Sequence, residues 1–187
     1  MQLARLRYQR GGGVNIDEQL TVGVKAGRTL IVGSHVYAGR TDRRLAYDDV
    51  VGVDMIPGDG VDRVLNMEDP LPADFGVFDH VECISVLEHS RQPWLLAANI
   101  ERVLEPGGTL DLSVPFVWRV HGYPEDHWRF TVSGVRLLFP NIDWARLDFV
   151  VIGEGYELKV VSKVPVVSLP LGPYFARAEV HGFGVRA

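Results

Sequence analysis

Three consecutive pieces of sequence between Val50 and Phe116 decide the fold. They read VVGVDMIPGDGVDRVLNMED over residues 50–69, FDHVECISVLEH over residues 78–89, and RQPWLLAANIERVLEPGGTLDLSVPF over residues 91–116. The pattern predicts three short apolar strands that each end in a polar or acidic residue, then a helix and a further strand. This order is typical of a parallel, nucleotide-binding α/β sheet.

The bulk composition is that of one globular domain. The chain has 187 residues, a hydrophobic share of 47% and a charged share of 23%. No apolar run approaches the roughly 20 residues that span a bilayer, and the N-terminus lacks the apolar core of a secretory signal, so we expect a cytoplasmic protein. The net charge of −5 argues against binding nucleic acid through its phosphates. We expect a small-molecule partner.

The chain outside residues 50–116 extends this sheet at both ends. Residues 29–33, TLIVG, predict the first strand, and a turn with one short helix is expected before the second strand at residue 50. The link from Pro57 to Gly60 is too short for a crossover helix, so we predict minimal helix content between strands 2 and 3. Residues 145–167 predict two β-runs around Gly153 and Gly155, which would form an antiparallel hairpin that finishes the sheet.

This pattern divides the chain into three parts. Residues 1–28 are expected to form an N-terminal arm, residues 29–165 the α/β domain, and residues 166–187 a tail that packs on the domain or on a partner. Because ligands of open α/β sheets bind beyond the carboxyl ends of the strands, the residues after each strand are the candidate site. An acidic residue after the second strand, here Asp54, can accept hydrogen bonds from both hydroxyls of a ribose.

Four motifs together resemble class I S-adenosylmethionine-dependent methyltransferases, in particular the methyltransferase type 11-like group. They are GVDMIPGDGVD, FDHVECISVLEH, RVLEPGGTLDLSVPF and HGYPEDHWRFT, and the resemblance covers about residues 28–160. It implies a Rossmann-like methyltransferase sheet, mostly parallel with a C-terminal antiparallel hairpin. The first motif departs from the usual acidic residue and GxGxG, because residues 31–39 read IVGSHVYAG.

The resemblance also implies a cofactor, S-adenosylmethionine, and the residues around it. Gly33, Ser34 and Gly39 would lie beside its methionine part, and Asp54 on the ribose hydroxyls, with Met55 next to it. Asn66 would border adenine by its side chain and Met67 by its backbone. Ser85 would lie near the sulfonium. The cofactor-binding residues predicted in this way are Gly33, Ser34, Gly39, Asp54, Met55, Asn66, Met67 and Ser85.

Methyl transfer needs positioning of the acceptor and, for a hydroxyl or a protonated amine, a base. The candidate bases are His89, His121 and His127, with Asp126 as a partner, because histidine titrates near neutrality. Each of these side chains could equally hold a loop in place. Arg129 could bind an anionic acceptor or a carboxylate of the scaffold.

Two further features of this region have alternative interpretations. Aromatic residues could form a hydrophobic acceptor pocket or cover the sheet as core; they are Trp118, Tyr123, Trp128 and Phe130. Glu88 and His89 resemble a metal-assisted branch of the family that uses two glutamates and a histidine here. Since Ser85 stands where the first glutamate would be, we predict no metal.

Two functions of different classes are consistent with the sequence. The first is a methyltransferase for a small-molecule or carbohydrate-like acceptor. The second is a non-catalytic methyltransferase-like domain that serves as a binding or structural subunit, suggested by the altered first motif and by the apolar tail, which could mediate an oligomer or a protein contact. Methylation of nucleic acid or protein has less support, because no Asn/Asp-Pro-Pro-Tyr signature follows the fourth strand.

Overall fold

The computed structural model describes residues 27–122, 125–152, 157–161, 164–168 and 177–187. The described α-helices are α1 (Pro93–Val103) and α2 (Val132–Leu138). The strands are β1 (Arg28–Val32), β2 (Asp49–Asp54), β3 (Arg63–Val64), β4 (Phe78–Ile84), β5 (Leu104–Val117), β6 (Ile142–Ile152), β7 (Glu157–Val161), β8 (Val164–Ser168) and β9 (Arg177–Arg186). The predicted N-terminal arm, except for its last two residues, lies outside the described residues.

Seven of these strands form one sheet in the order β3-β2-β1-β4-β5-β9-β6. The pairs β1–β2, β2–β3, β1–β4 and β4–β5 are parallel, and β9 is antiparallel to both β5 and β6. The predicted fold class, a mostly parallel Rossmann-like sheet with an antiparallel C-terminal part, is confirmed. The chain runs outward from β1 to β3 and then returns to β4, so strand order reverses between β1 and β4.

The crossovers from β1 to β3 contain little helix. A 3-10 helix, Arg43–Ala46, stands where a short helix is predicted between β1 and β2. The β2–β3 connection has no helix, as the Pro/Gly link predicts, and β3 is shorter than expected. This connection folds back on the sheet, because Asp62 accepts a hydrogen bond from the Gly52 amide at 2.7 Å and the Asp59 carbonyl accepts one from the Val36 amide at 2.8 Å.

The antiparallel part of the sheet differs in detail from the prediction. A C-terminal antiparallel hairpin is present, but β7 and β8 form it as a separate two-stranded sheet, whereas the prediction paired the two runs on either side of Gly153 and Gly155. The neighbour of β6 is β9, in the segment predicted as tail. The sequence did not predict β9 because the strand contains glycine, which has low strand propensity. A Cβ at Gly182 would clash with the Trp144 ring, so β9 needs glycine at this position.

The core lies between one face of the sheet and the two helices. Pro93 starts α1, which buries Leu96, Ala97, Ile100 and Val103. These side chains share one cluster with alternate residues of the central strands, namely Leu30, Val32, Val81, Cys83, Leu110 and Leu112. Burying each large side chain contributes roughly 1.5–3 kcal/mol. Neither α1 nor α2, nor any other described helix, has the length and hydropathy of a membrane span.

The opposite face of the central strands is polar, although much of it is shielded from solvent. Thr29, His80, Asp111 and Ser113 are buried there, and Glu82 is half-buried. The register places His80 beside Thr109 and Glu82 beside Asp111, so these side chains form a band across β4 and β5. His80, Glu82 and Ser113 have hydrogen-bond partners on this face, whereas the Thr29 hydroxyl has none among the described residues and Ile31 is buried beside it.

Candidate active site

A cavity of about 630 Å³ opens at the carboxyl ends of β1, β2 and β4, where the strand order reverses. This is the place where open α/β sheets bind ligands. Its volume lies in the range of small-molecule sites. Of the predicted site residues, those that line the cavity are Gly33, Asp54, Met55, Asn66, Met67, Ser85, His89 and His121. Ser34, Gly39, Asp126 and His127 do not line it.

Gly33 ends β1 in a conformation that needs glycine. Its φ is +69°, and a Cβ there would clash with the Val86 side chain. The amides of Gly33 and Ser34 both donate to the Val53 carbonyl, at 2.9 and 3.1 Å. This turn directs Ser34 inward, where it is buried, and Gly39 forms a separate turn with φ of +79°. Of the three residues predicted in this loop, only Gly33 lines the cavity, and Tyr37, Ala38 and Arg40, which were not predicted, line it too.

Asp54, at the end of β2, holds two segments of the cavity wall. One carboxylate oxygen accepts a hydrogen bond from the His35 amide at 3.2 Å, and the other accepts one from the Ile56 amide at 3.0 Å. Each carboxylate oxygen can accept a further bond. Asp54 thus caps a turn and also lines the cavity.

The segment after β3 is fixed to the start of α1. The Asn66 side-chain oxygen accepts from the Glu68 amide at 3.0 Å, and the Met67 carbonyl accepts from the Asn99 side chain at 2.8 Å. Glu68 accepts bonds from the Ser90 hydroxyl and the Arg91 amide, both at 2.9 Å. These contacts place Asn66 and Met67 against the cavity. The sequence pattern did not single out Asn99, although a polar residue next to the apolar side of α1 is a usable signal.

Ser85 follows β4 in a strained conformation. Its φ is +54°, which is uncommon for a residue other than glycine, and it is the only such case in the described part of the chain. Its amide donates to the Ser113 carbonyl at 2.9 Å. Strained residues held by their surroundings cluster at functional sites, which agrees with the position of Ser85 on the cavity wall.

The opposite wall is the β5 loop, defined as residues 118–122 and 125–131, and it is organised around Asp126. The Asp126 side chain is fully buried, and the Arg129 guanidinium donates to both of its oxygens. These bonds, more than any other factor, lower the pKa of Asp126 to about 2. Of the two alternatives predicted for Arg129, the structure shows binding to a carboxylate of the scaffold, that of Asp126. Arg129 also donates to the Trp118 and Arg119 carbonyls.

Asp126 also orients His121. Its carboxylate accepts from the His121 amide at 2.9 Å and lies 2.9 Å from the ring Nδ1. Nδ1 also lies 3.3 Å from the Arg119 carbonyl, its hydrogen-bond partner; because a carbonyl and a carboxylate only accept, the proton is assigned to Nδ1, and Nε2 is the acceptor nitrogen. His121 is therefore arranged as a base with a carboxylate partner on the cavity wall.

His89 is held in a similar way by the β5 loop. Its Nδ1 donates to the Glu125 carbonyl at 2.7 Å, and its ring contacts the His121 ring edge to face at 4.9 Å. Burial is the main cause that lowers the pKa of His89, with a further contribution from the charges of His121 and His127. A lowered pKa keeps this imidazole neutral at neutral pH.

His127 and the aromatic residues mainly fix the β5 loop. The His127 amide donates to the Glu88 carbonyl at 2.8 Å, and its ring lies 3.5 Å from the Glu125 carboxylate. Trp128 donates from Nε1 to the Ser90 carbonyl at 2.8 Å, and Phe130 is buried in the core. Trp118 lines the cavity, whereas Tyr123 lies outside the described residues.

Comparison with known proteins agrees with this geometry. The model of a methyltransferase domain family matches residues 37–112. The N-methyltransferase NodS from Bradyrhizobium japonicum, solved with S-adenosyl-L-homocysteine, has a TM-score of 0.55 at 10% identity, over 86% of this chain and 78% of that one. The chain resembles class I S-adenosylmethionine-dependent methyltransferases in sequence and in fold. The resemblance predicted from the motifs is confirmed.

Other solved structures share the same methyltransferase fold. A Haloferax volcanii protein in complex with a methyltransferase activator has a TM-score of 0.56 at 18% identity, over 87% of this chain and 83% of that one. The N-terminal domain of EvdMO1, crystallised in the presence of S-adenosyl-homocysteine and D-fucose, has a TM-score of 0.54 at 17% identity, over 87% and 77%. No curated protein sequence matches the chain.

One cluster in this methyltransferase fold has the composition of a metal site. Glu88, His89 and His121 each bring one ligand atom within 4.8 Å of the others. Glu88 is almost fully buried, one of its oxygens has no hydrogen-bond partner among the described residues, and burial raises its pKa to about 8. At neutral pH the protonated form of Glu88 is favoured, and a neutral carboxyl is a poor ligand. The absence of a metal stays a prediction.

Proposed function

We propose that this protein is an S-adenosylmethionine-dependent methyltransferase that acts on a small-molecule or carbohydrate-like acceptor. The observation that carries the proposal is the composition of the two cavity walls. Gly33, Asp54, Asn66 and Ser85, which end successive strands, line one wall, and the His121–Asp126 pair lies on the other. A cofactor site and a base therefore share one cavity.

The residues present fit the cofactor. The bare backbone of Gly33 permits close approach of a ligand, and the Asp54 carboxylate retains acceptor capacity for two ribose hydroxyls. Asn66 and Met67 stand where the adenine would bind, and Ser85 stands near the reacting centre. S-Adenosylmethionine, when bound, supplies a methyl group that its sulfonium already activates.

The task left to the protein is to position the acceptor and remove its proton. His121 Nε2 would take the proton of an acceptor hydroxyl or ammonium, while Asp126 holds Nδ1 and stabilises the imidazolium that forms. Arg129 keeps Asp126 charged, and His89, whose pKa burial lowers, lies beside His121. General-base catalysis of this kind contributes roughly 10²–10⁴-fold.

The proposed class of acceptor is supported by the size of the cavity and by its lining. Trp118, His121 and Arg119 offer apolar surface, an acceptor nitrogen and a cation on the same wall. A solved relative in fold was crystallised in the presence of D-fucose. A chain of net charge −5 is poorly suited to a nucleic acid, which keeps a small acceptor the better proposal.

A non-catalytic role is the second candidate, and a specific observation favours it. The β1–β3 crossovers lack α-helices in the described residues. The wall lined by Gly33, Asp54, Asn66 and Ser85, here called the cofactor wall, therefore has less support than a pair of crossover helices would give. In that case the fold would serve as a binding or structural subunit.

Calorimetric titration of the purified protein with S-adenosylmethionine and with S-adenosylhomocysteine tests the proposal. We expect micromolar binding of both, followed by turnover in a screen of sugars and other small acceptors that detects S-adenosylhomocysteine. A protein that is folded by circular dichroism and binds neither compound would instead support the non-catalytic role.

A further inference from the structure

The guanidinium of Arg43 bridges the turn at the end of β1 and the neighbouring strand β4. Its Nη2 donates to the Gly33 carbonyl at 2.9 Å, and its Nη1 lies 2.7 Å from a Glu82 carboxylate oxygen. Both side chains are largely shielded from solvent, with exposures of 26% for Arg43 and 12% for Glu82. A planar guanidinium can make both contacts at once, which a single ammonium does less well.

Tyr47 completes this connection from the other end of the 3-10 helix. Its hydroxyl donates to the second Glu82 oxygen at 3.0 Å. Burial and the neighbouring Glu82 carboxylate raise the pKa of Tyr47, so the phenol stays protonated and remains a donor. Arg43 and Tyr47 therefore attach both ends of the 3-10 helix to one carboxylate of β4.

The Gly33 carbonyl needs such a partner because of the local fold. The crossover from β1 to β2 has a 3-10 helix of four residues and no described α-helix, so no helix N-terminus supports the turn. The amides of Gly33 and Ser34 are already directed at the Val53 carbonyl. The bond from Arg43 fixes the orientation of the peptide group between Gly33 and Ser34, which follows the cavity-lining residue directly.

We propose that Arg43 is a positioning residue for the cofactor site, which holds the Gly33 turn in its binding shape through Glu82 and Tyr47. The inference rests on the proposed function, because the shape that matters is the one that accepts the cofactor. Arg43 itself does not line the cavity. It acts through the backbone of Gly33, in place of the missing crossover helix.

Arg44 offers a matched control within the same 3-10 helix. It forms ion pairs with Asp42 and Asp62, both at 2.9 Å, with the same side-chain exposure of 26% as Arg43. No contact joins Arg44 to Gly33 among the described residues. Arg43→Gln and Arg44→Gln each remove one partly exposed, ion-paired guanidinium, and only the first removes the bond to Gly33.

The experiment compares Arg43→Gln, Arg43→Lys and Arg44→Gln with the unmodified protein. Calorimetry with S-adenosylhomocysteine measures affinity, and thermal unfolding measures stability. We expect both Arg43 variants to bind about tenfold more weakly or worse, the range for a lost hydrogen bond to a charged group. Arg44→Gln should bind within about twofold of the unmodified protein. Arg43→Lys keeps the pairing with Glu82, so its unfolding temperature should stay close to that of the unmodified protein.

Amide hydrogen exchange at Gly33 and Ser34 separates this inference from the proposed function. Faster exchange at both amides in Arg43→Gln, and not in Arg44→Gln, supports the positioning role even if the unmodified protein binds no cofactor. Unchanged exchange at these amides, or equal weakening of affinity by Arg44→Gln, would overturn it. Absence of cofactor binding in the unmodified protein counts against the proposed function alone.

Discussion

The two walls of the cavity, the proposed cofactor wall at the strand ends and the proposed acceptor wall in the β5 loop, differ in how much of their shape local turns set. On the cofactor wall, Asp54 bonds to Ile56 and Asn66 bonds to Glu68, each only two residues away. On the acceptor wall, His89 bonds to Glu125 across 36 residues and Trp128 bonds to Ser90 across 38. The first wall therefore combines local turns at strand ends with bonds to His35 and Asn99, whereas the second depends on the contact between two distant loops.

This difference predicts how each wall responds to mutation. A change in a local turn should affect the ligand that the turn binds, with little effect elsewhere. A change at the centre of the β5 loop should alter every residue that the loop positions, because Asp126 holds both His121 and Arg129. The two walls should therefore separate in experiments that measure cofactor affinity and turnover independently.

Asp126→Asn should produce the largest effect. The amide cannot form the ion pair with Arg129 and cannot keep the proton on Nδ1 of His121 as firmly. We expect the turnover number to fall by about 10²-fold or more, the contribution of a general base. Affinity for S-adenosylhomocysteine should stay within about twofold. The measurement is the rate of S-adenosylhomocysteine release with an acceptor found in the screen.

Glu125→Gln is the matched control for Asp126→Asn. Glu125 is the adjacent acid with a side chain exposed by 58%, and its carbonyl, which accepts the His89 bond, is unaffected by the change. Turnover in this variant should stay near that of the unmodified protein. An equal loss in both variants would mean that loop charge, not the Asp126 contacts, sets the rate.

Asp54→Ala tests the cofactor wall. The change removes a carboxylate that lines the cavity and caps the amides of His35 and Ile56. We expect cofactor binding to weaken by roughly 1–3 kcal/mol, the cost of losing charged hydrogen bonds. Calorimetry measures this change, with Asp59→Ala in the same β2–β3 connection as the control, and unaltered affinity in Asp54→Ala would contradict the role of Asp54.

The difference in range also explains which parts of the site the sequence could predict. Gly33, Asp54, Asn66 and Ser85 follow strands that are recognisable from short apolar runs, and all four line the cavity. The resemblance predicts Ser34 beside the cofactor as well, but the left-handed turn at Gly33 directs the Ser34 side chain inward, away from the cavity. A pattern of residue types predicts well where a strand ends. It predicts poorly which way each side chain points in the turn that follows.

The acceptor wall shows the opposite situation. The motif HGYPEDHWRFT indicates an important loop, and the sequence supplied His121, Asp126 and His127 as candidates. It could not distinguish the two histidines, because an irregular loop has no period from which a facing side can be read. Only the contacts with Asp126 and with the loop after β4 show that His121 lines the cavity and that His127 does not.

Distant pairing likewise limited the prediction of the fold. The parallel strands and α1 follow from local apolar patterns, and the missing helix between β2 and β3 follows from the length of the link. Strand β9 could not be recognised, because Gly182 and Gly184 give it a poor strand pattern. These glycines are needed only because Trp144 and Ile142 from β6 pack against them, a contact that no local pattern contains.

Acid unfolding offers a smaller test of the same contrast. The bonds from Arg129 lower the pKa of Asp126 from 3.8 to about 2. A carboxylate with a depressed pKa in the folded state stabilises fully above its unfolded value and loses this contribution as pH falls through the folded value. We expect the contribution of Asp126 to the free energy of unfolding to fall by about 1–2 kcal/mol between about pH 4 and pH 2.

Urea unfolding at a series of pH values, followed by tryptophan fluorescence, measures this loss. The free energy of unfolding of the unmodified protein should exceed that of Asp126→Asn above pH 4, and the gap should narrow toward pH 2. The reason is that protonated Asp126 no longer pairs with Arg129. A gap that stays constant with pH would show that the two residues do not interact as an ion pair.

Chelation of metal ions should leave turnover and stability unchanged. Glu88, His89 and His121 are close enough to share a cation, but burial favours the protonated form of Glu88, and Ser85 supplies no carboxylate at the start of the motif. Two imidazoles alone make an incomplete ligand set. Prolonged treatment with EDTA should leave turnover and unfolding temperature unchanged. Loss of turnover that zinc or manganese restores would instead make His89 and His121 metal ligands, and the acceptor wall would then supply a Lewis acid in place of a base.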